Sequence, residues 1–145
     1  MNNFLLLGNS CKEENQYWMK TVEEFIIAHQ ATCKSMQVQR FSEMKTKEFC
    51  ENIPENTQCI IVLGGDGTLI RCAGAVLGMN IPLIGMNLGT VGYLCDIDEQ
   101  NWKESLTQLI EDRYTVEDRM MLTGYSEKLS RPSICLNALN DIVIF

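Results

Sequence analysis

Cys59-Ile60-Ile61-Val62-Leu63 is an unbroken apolar run that passes, with no spacer, into Gly64-Gly65-Asp66-Gly67-Thr68. An apolar run this rich in β-branched residues reads as a central parallel strand covered on both faces. After the glycines, Leu69, Ala73, Val76 and Leu77 recur at helical spacing. Strand, tight turn and helix in direct succession are half of a βαβ unit. Parallel strands need crossover helices, so this one feature commits the chain to an α/β sheet.

The same grammar repeats on either side. Phe4–Leu7 reads as a strand ended by Gly8-Asn9-Ser10, and Trp18, Val22, Phe25 and Ile26 mark the apolar face of a following helix. Ser35–Phe41 alternates like a strand, and the charged Ser42–Asn56 segment suits a short helix before a turn at Pro54. Pro82–Met86 is a further strand that also ends in a Gly-rich turn, Asn87-Leu88-Gly89-Thr90-Val91-Gly92. Asp98 is placed to cap a helix whose face is Trp102, Leu106, Leu109 and Ile110. From Tyr114 the rhythm changes. Tyr114–Tyr125 and Ser133–Phe145 are β-like runs separated by the polar stretch 126–132, which is antiparallel grammar. The expected architecture is an open, mostly parallel, Rossmann-like sheet flanked by helices over residues 1–115. The first strands of an all-β second domain follow over 116–145. Ile142-Val143-Ile144-Phe145 closes the sequence with an apolar run and no polar tail, so a longer protein is expected.

Composition narrows the partners. The formal net charge of −7 argues against nucleic acid or an acidic membrane surface, both of which recruit Lys and Arg. No stretch approaches the roughly 20 apolar residues of a membrane span. Phe4–Leu7 is too short, and lacks the preceding cation, for a secretory signal. The 7 cysteines form no C-x-x-C pair and have a single histidine, His29, to help them. They read as reduced thiols of a cytoplasmic protein, and no metal ligand is assigned.

Both Gly-rich segments follow strands, where open α/β sheets bind ligands. Glycines at 64, 65 and 67 remove the β-carbons that would hold a bulky anion off the backbone, and they permit an anion-binding nest. The following helix adds its dipole, and Thr68 can cap it or bond a phosphate oxygen. Asp66 is the odd member, since a carboxylate repels phosphate. It suits a site where it orients or deprotonates a hydroxyl, or holds Mg²⁺, and the alternative is a helix cap. Absence of G-x-x-x-x-G-K-[ST] and of G-x-G-x-x-G excludes a P-loop and a dinucleotide fingerprint.

Gly64–Thr68 resembles the signature shared by NAD kinases, diacylglycerol- and sphingosine-type lipid kinases and, more distantly, phosphofructokinases. Asn87-Leu88-Gly89-Thr90-Val91-Gly92-Tyr93-Leu94-Cys95-Asp96 resembles the N-x-G-x-x-G-F-L-x-D motif of NAD kinases, and Leu136–Asp141 is similar to their A-L-N-E segment. By this resemblance the activity is phosphoryl transfer from ATP or polyphosphate to the 2′-hydroxyl of the adenosine ribose of NAD. Asp66 would be the general base or orient the hydroxyl. Gly65 and Gly67 would approach the phosphates. From position alone, Gly64 and Thr68 suit the same phosphates, Arg71 on the following helix is either a further phosphate contact or a surface Arg, and Asn87 is either a ligand or an Asx-turn residue. Tyr93 stands where the family has a Phe against the adenine. Asn140 and Asp141 would hold ribose hydroxyls, Asp141 replacing a Glu with an arm one methylene shorter. A divalent metal, Mg²⁺ first, and a homodimer or homotetramer are also implied. The competing readings are a lipid kinase of the same superfamily and a nucleotide-binding fragment without activity of its own.

Overall fold

The structure, a computed structural model, describes residues 1–9, 11, 13–39, 46–89, 92–128 and 131–139. It divides into two compact units, Met1–Thr115 and Val116–Phe145. In the first unit the elements are β1 (Asn3–Asn9), α1 (Glu13–Ala28), β2 (Thr32–Val38), α2 (Thr46–Glu51), β3 (Cys59–Leu63), α3 (Asp66–Ala75), β4 (Leu83–Met86) and α4 (Trp102–Ile110). The second unit contains β5 (Leu122–Lys128) and β6 (Arg131–Ala138).

The four strands of the first unit form one sheet in the order β2-β1-β3-β4 with every pairing parallel. The apolar runs explain why β1 and β3 are central. Leu5, Leu6, Leu7 and Ile60–Leu63 are all fully buried, and their alternation sends successive side chains to opposite faces. Leu6, Ile61 and Leu63 pack with Met19, Val22 and Ile26 of α1 and with Trp102, Leu106 and Leu109 of α4. Leu5, Leu7, Ile60 and Val62 pack with Phe49 of α2 and with Leu69, Cys72 and Ala75 of α3. Helices therefore cover both faces of a parallel sheet. Full burial of each such Leu or Ile is worth about 1.5–3 kcal/mol.

Several local expectations shift. The buried stripe of α1 is Asn15, Met19, Val22 and Ile26, rotated from the expected face. Trp18 and Phe25 instead meet Trp102 edge-on, at ring centroid separations of 5.7 and 5.1 Å. The second strand starts at Thr32, three residues before the expected Ser35, because Gln30 turns the chain at φ 63° directly after α1. Asn101, not Asp98, precedes α4 as its cap residue. The Asp98 carboxylate accepts the backbone N–H groups of Gln100 and Asn101 at 2.8 and 2.9 Å, forming a turn ahead of the helix. In the second unit β5 and β6 pair antiparallel, with Lys128 opposite Arg131. Most of the polar stretch expected to separate the two β runs is thus strand itself.

Candidate functional site

Order β2-β1-β3-β4 reverses direction between β1 and β3, since the chain leaves β1 toward one edge and β3 toward the other. At such a switch point the loops at the carboxyl ends diverge and leave a crevice. A cleft of about 250 Å³ lies there, lined by Asn9, Asn15, Leu63, Gly64, Gly65, Thr68, Asn87, Leu88 and Gly89. The ends of β1, β3 and β4 and the first turns of α1 and α3 all contribute.

Gly64 turns the chain out of β3 at φ +151°, where a β-carbon would also lie 2.8 Å from Thr68 Oγ1. Its N–H donates to Met86 O at 2.9 Å, fixing the turn to β4. Gly65 is extended at φ −84° and ψ −177° and is the cap residue of α3, with no side-chain cap bond. The expected nest is therefore not formed at this turn, since Gly65 does not continue it. The amide donors are those of the α3 N-terminus, whose first turn leaves N–H groups without intrahelical acceptors. Thr68 does not cap the helix; it sits in the first turn and lines the cleft. A β-carbon at Gly67 would meet nothing within 4 Å, and one at Gly65 only Asn87 Oδ1 at 3.9 Å. The protein itself does not require glycine at those two positions.

Asp66 is the first residue of α3, and its carboxylate does not line the cleft. It accepts the backbone N–H of Tyr93 at 2.7 Å and that of Leu94 at 3.1 Å. The Tyr93 N–H above all holds the Asp66 carboxyl below the usual carboxylate range, with Leu94 and Cys95 adding to the effect against desolvation. A β-carbon on Gly92 would overlap the Asp66 carboxyl, so the glycine makes room for this contact. The Cys95 thiol donates to Gly64 O at 3.5 Å. Burial, reinforced by the Asp66 charge, pushes that thiol up to about 12. Asp66 thus fastens the second Gly-rich segment to the helix that follows the first.

That second segment is closed at its neck. Met86 and Ile97 form a parallel bridge, the Asn87 N–H donates to Ile97 O at 2.8 Å, and the Ile97 N–H donates to Gly85 O at 3.1 Å. Asn87 is buried, its Nδ2 donates to Gly89 O at 3.4 Å, and it faces the cleft. Tyr93 is 99% exposed, with its ring in solvent rather than in the core.

Of the sequence-predicted residues, Gly64, Gly65, Thr68 and Asn87 meet in the cleft, while Asp66 and Tyr93 meet beside it. Arg71 is exposed on α3 and is not among the cleft residues. Gly67 is exposed in the first turn of α3. Asn140 and Asp141 lie outside the described residues. Asn9 and Asn15 were missed. Asn15 had a signal, because it extends the stripe of Met19, Val22 and Ile26 by one more helical step. A polar residue on a buried stripe at a helix start is anomalous.

Among the described residues no group of three or more His, Cys, Asp or Glu could hold a metal ion. None of the helices there is long and apolar enough to cross a membrane.

The yeast NADH kinase, solved in complex with NADH, superimposes with a TM-score of 0.68 at 19% identity. That match covers 96% of this chain and 47% of the other, and it shows the shared fold. The NAD kinase of Agathobacter rectalis is 39% identical and that of Lachnospira eligens 36%, each over 99% of this chain. The chain spans about half the length of these curated relatives, 50% in both cases. The ATP-NAD kinase N-terminal domain family matches residues 4–114, from β1 through the end of α4. The chain belongs to the NAD kinase family.

Proposed function

We propose that the protein containing this chain transfers a phosphoryl group from ATP or polyphosphate to the 2′-hydroxyl of the adenosine ribose of NAD, giving NADP. The observation that carries this reading is the arrangement around the start of α3. An ionised carboxylate, Asp66, directly follows the Gly64–Gly65 turn, and that turn itself lines a cleft together with uncharged polar side chains. Phosphoryl transfer needs an acceptor for the attacking hydroxyl's proton close to, yet separate from, donors for phosphate oxygens.

Asp66 serves better to orient the hydroxyl than to deprotonate it. Its lowered pKa keeps it ionised at neutral pH and makes it a weak base. Asp66 is only half-buried, so a substrate hydroxyl can approach its carboxylate from the solvent side. Gly65 and Gly67 present backbone to the phosphates, Thr68 and Asn87 add polar side chains, and Arg71 contributes charge from the exposed side of α3. The fully exposed Tyr93 ring offers a flat face to the adenine. Asn140 and Asp141 hold ribose hydroxyls.

The donor set around the cleft consists of amides and a hydroxyl, with no cage of hard anionic ligands among the described residues. The described residues thus offer no site for a resident metal, and Mg²⁺ is read as entering with the donor phosphates as part of the substrate. The protein is taken to be cytoplasmic and a homodimer or homotetramer. Residues 1–115 form its nucleotide-binding domain, and 116–145 begin a β-rich domain. With half the length of its relatives, this chain alone is expected to form no NADP.

The test is an assay of the full-length protein with NAD and ATP, with polyphosphate as alternative donor and diacylglycerol and sphingosine as alternative acceptors. NADP formation without lipid phosphorylation is expected. Lipid phosphorylation in place of NADP formation would overturn the reading.

A further inference from the structure

Asn15 is the third residue of α1, is only 5% exposed, and forms part of the cleft wall opposite Gly64, Gly65 and Thr68. Its side chain makes no hydrogen bond with any described residue. Among the described residues no side-chain nitrogen or oxygen is both sealed from solvent and unpartnered. The Asn15 carboxamide therefore opens into the cleft. A polar group taken out of bulk water and given no partner is disfavoured. An apolar side chain would extend the stripe of Met19, Val22 and Ile26 without that cost.

Two further observations indicate what the amide would bind. The first turns of α1, through Asn15, and of α3, through Gly65 and Thr68, line the same cleft, so the N-terminal turns of two helices border one volume. Among the described residues no charged side chain lines the cleft: Glu13 and Glu14 are exposed elsewhere on the first turn of α1, and Asp66 is turned toward Tyr93 and Leu94. A neutral amide can donate to an anion from such a position without the repulsion a carboxylate would bring.

We propose that Asn15 binds the condensed phosphate chain of the phosphoryl donor, donating its amide to a phosphate oxygen in the cleft between β1 and β3. This rests on the kinase reading above. It adds to the Gly-rich turn a determinant contributed by the β1–α1 side of the sheet.

The test uses the full-length protein with two substitutions, Asn15→Leu and Asn15→Asp, and two readouts. In steady-state kinetics the KM for ATP rises roughly tenfold or more, the loss expected when a hydrogen bond to a charged group is removed. The effect is larger for Asn15→Asp, while the KM for NAD and kcat stay within about twofold. In titration calorimetry, inorganic tripolyphosphate loses affinity by a similar factor. Without ligand, Asn15→Leu melts no lower than the parent, since it removes only an unpartnered amide.

An unchanged donor KM overturns the proposal, as does a changed KM for NAD alone. Failure of both variants to fold also overturns it, because Asn15 would then be structural. If the parent forms NADP and the variants keep their donor KM, only this proposal fails. If the parent binds tripolyphosphate through Asn15 yet never phosphorylates NAD, only the kinase reading fails.

Discussion

Gly85 lies inside β4, and a β-carbon there would stand 2.6 Å from Cys95 Sγ and 3.1 Å from both Cys95 Cβ and Leu69 Cδ2. The closest of these is roughly 1 Å inside the ~3.5–4.0 Å optimum for such contacts. The segment carrying Cys95 also supplies the Leu94 and Tyr93 amides to Asp66, so it cannot retreat without loosening those bonds. Leu69 is buried against the sheet and is equally confined. Gly85→Ala should therefore cost about 1–3 kcal/mol, the usual range for an overpacked core. Cys95→Ala removes the sulfur and its bond to Gly64 O, at about 1 kcal/mol. Because it also removes the worst clash, the double variant should be more stable than the sum of the singles by about 1 kcal/mol. Equilibrium urea unfolding measures this, with Gly85→Ala expected to lower the midpoint by about 1 M. Trp18 and Trp102 pack edge to face at 5.7 Å in the same unit and supply the fluorescence signal. Additivity within about 0.5 kcal/mol would refute the reasoning, since it would mean that β4 and the Asp66-binding segment do not share this contact.

In the full-length protein Asp66→Asn should lower kcat by roughly 10²–10⁴, the range expected when the carboxylate that orients the reacting hydroxyl is lost; a change within about threefold rules the role out. The same substitution tests the anchoring of the second Gly-rich segment through pH. Asp66 has a folded-state pKa below its ordinary 3.8, so its contribution is fully present above that value and is lost as pH falls through the lowered one. The melting-temperature gap between parent and Asp66→Asn should be constant from pH 5 to 7 and close below pH 4, and a gap that widens in acid contradicts it. Burial pushes the Cys33, Cys59 and Cys72 thiols up to about 12, whereas Cys11 is exposed. Peptide mapping after brief alkylation at pH 8 should find Cys11 labelled before Cys33, Cys59 and Cys72, and faster labelling of Cys59 would contradict the packing of β3.

The sheet was legible because its signal is physical and local. Leu5–Leu7 and Ile60–Leu63 admit no other placement than central strands, and the Gly64–Thr68 turn follows from them. Strand β2 was less legible because an edge strand is half exposed, and its alternation carries little burial to set its start. The rotation of α1 escaped for a different reason. Trp18 and Phe25 look like core residues by size, yet they serve a contact with Trp102 more than 70 residues later in the chain. The partners of Asp66 were equally hidden, because nothing in Gly92-Tyr93-Leu94 announces that its amides will close on a carboxylate 27 residues upstream. Asn15 was visible only to a reader who first knew which face of α1 is buried.

The neck formed by Met86 and Ile97 has a consequence for how such a site can diversify. The chain leaves the sheet at Asn87 and rejoins it at Ile97 with both ends hydrogen-bonded at one place. For a loop whose ends are already held together, doubling the length costs only about 0.6 kcal/mol of closure entropy. Insertions between those ends would be absorbed within the loop, while β4 and the core beneath keep their register. The loop on one side of the neck can thus be exchanged, lengthened or shortened while the fold on the other side remains the same.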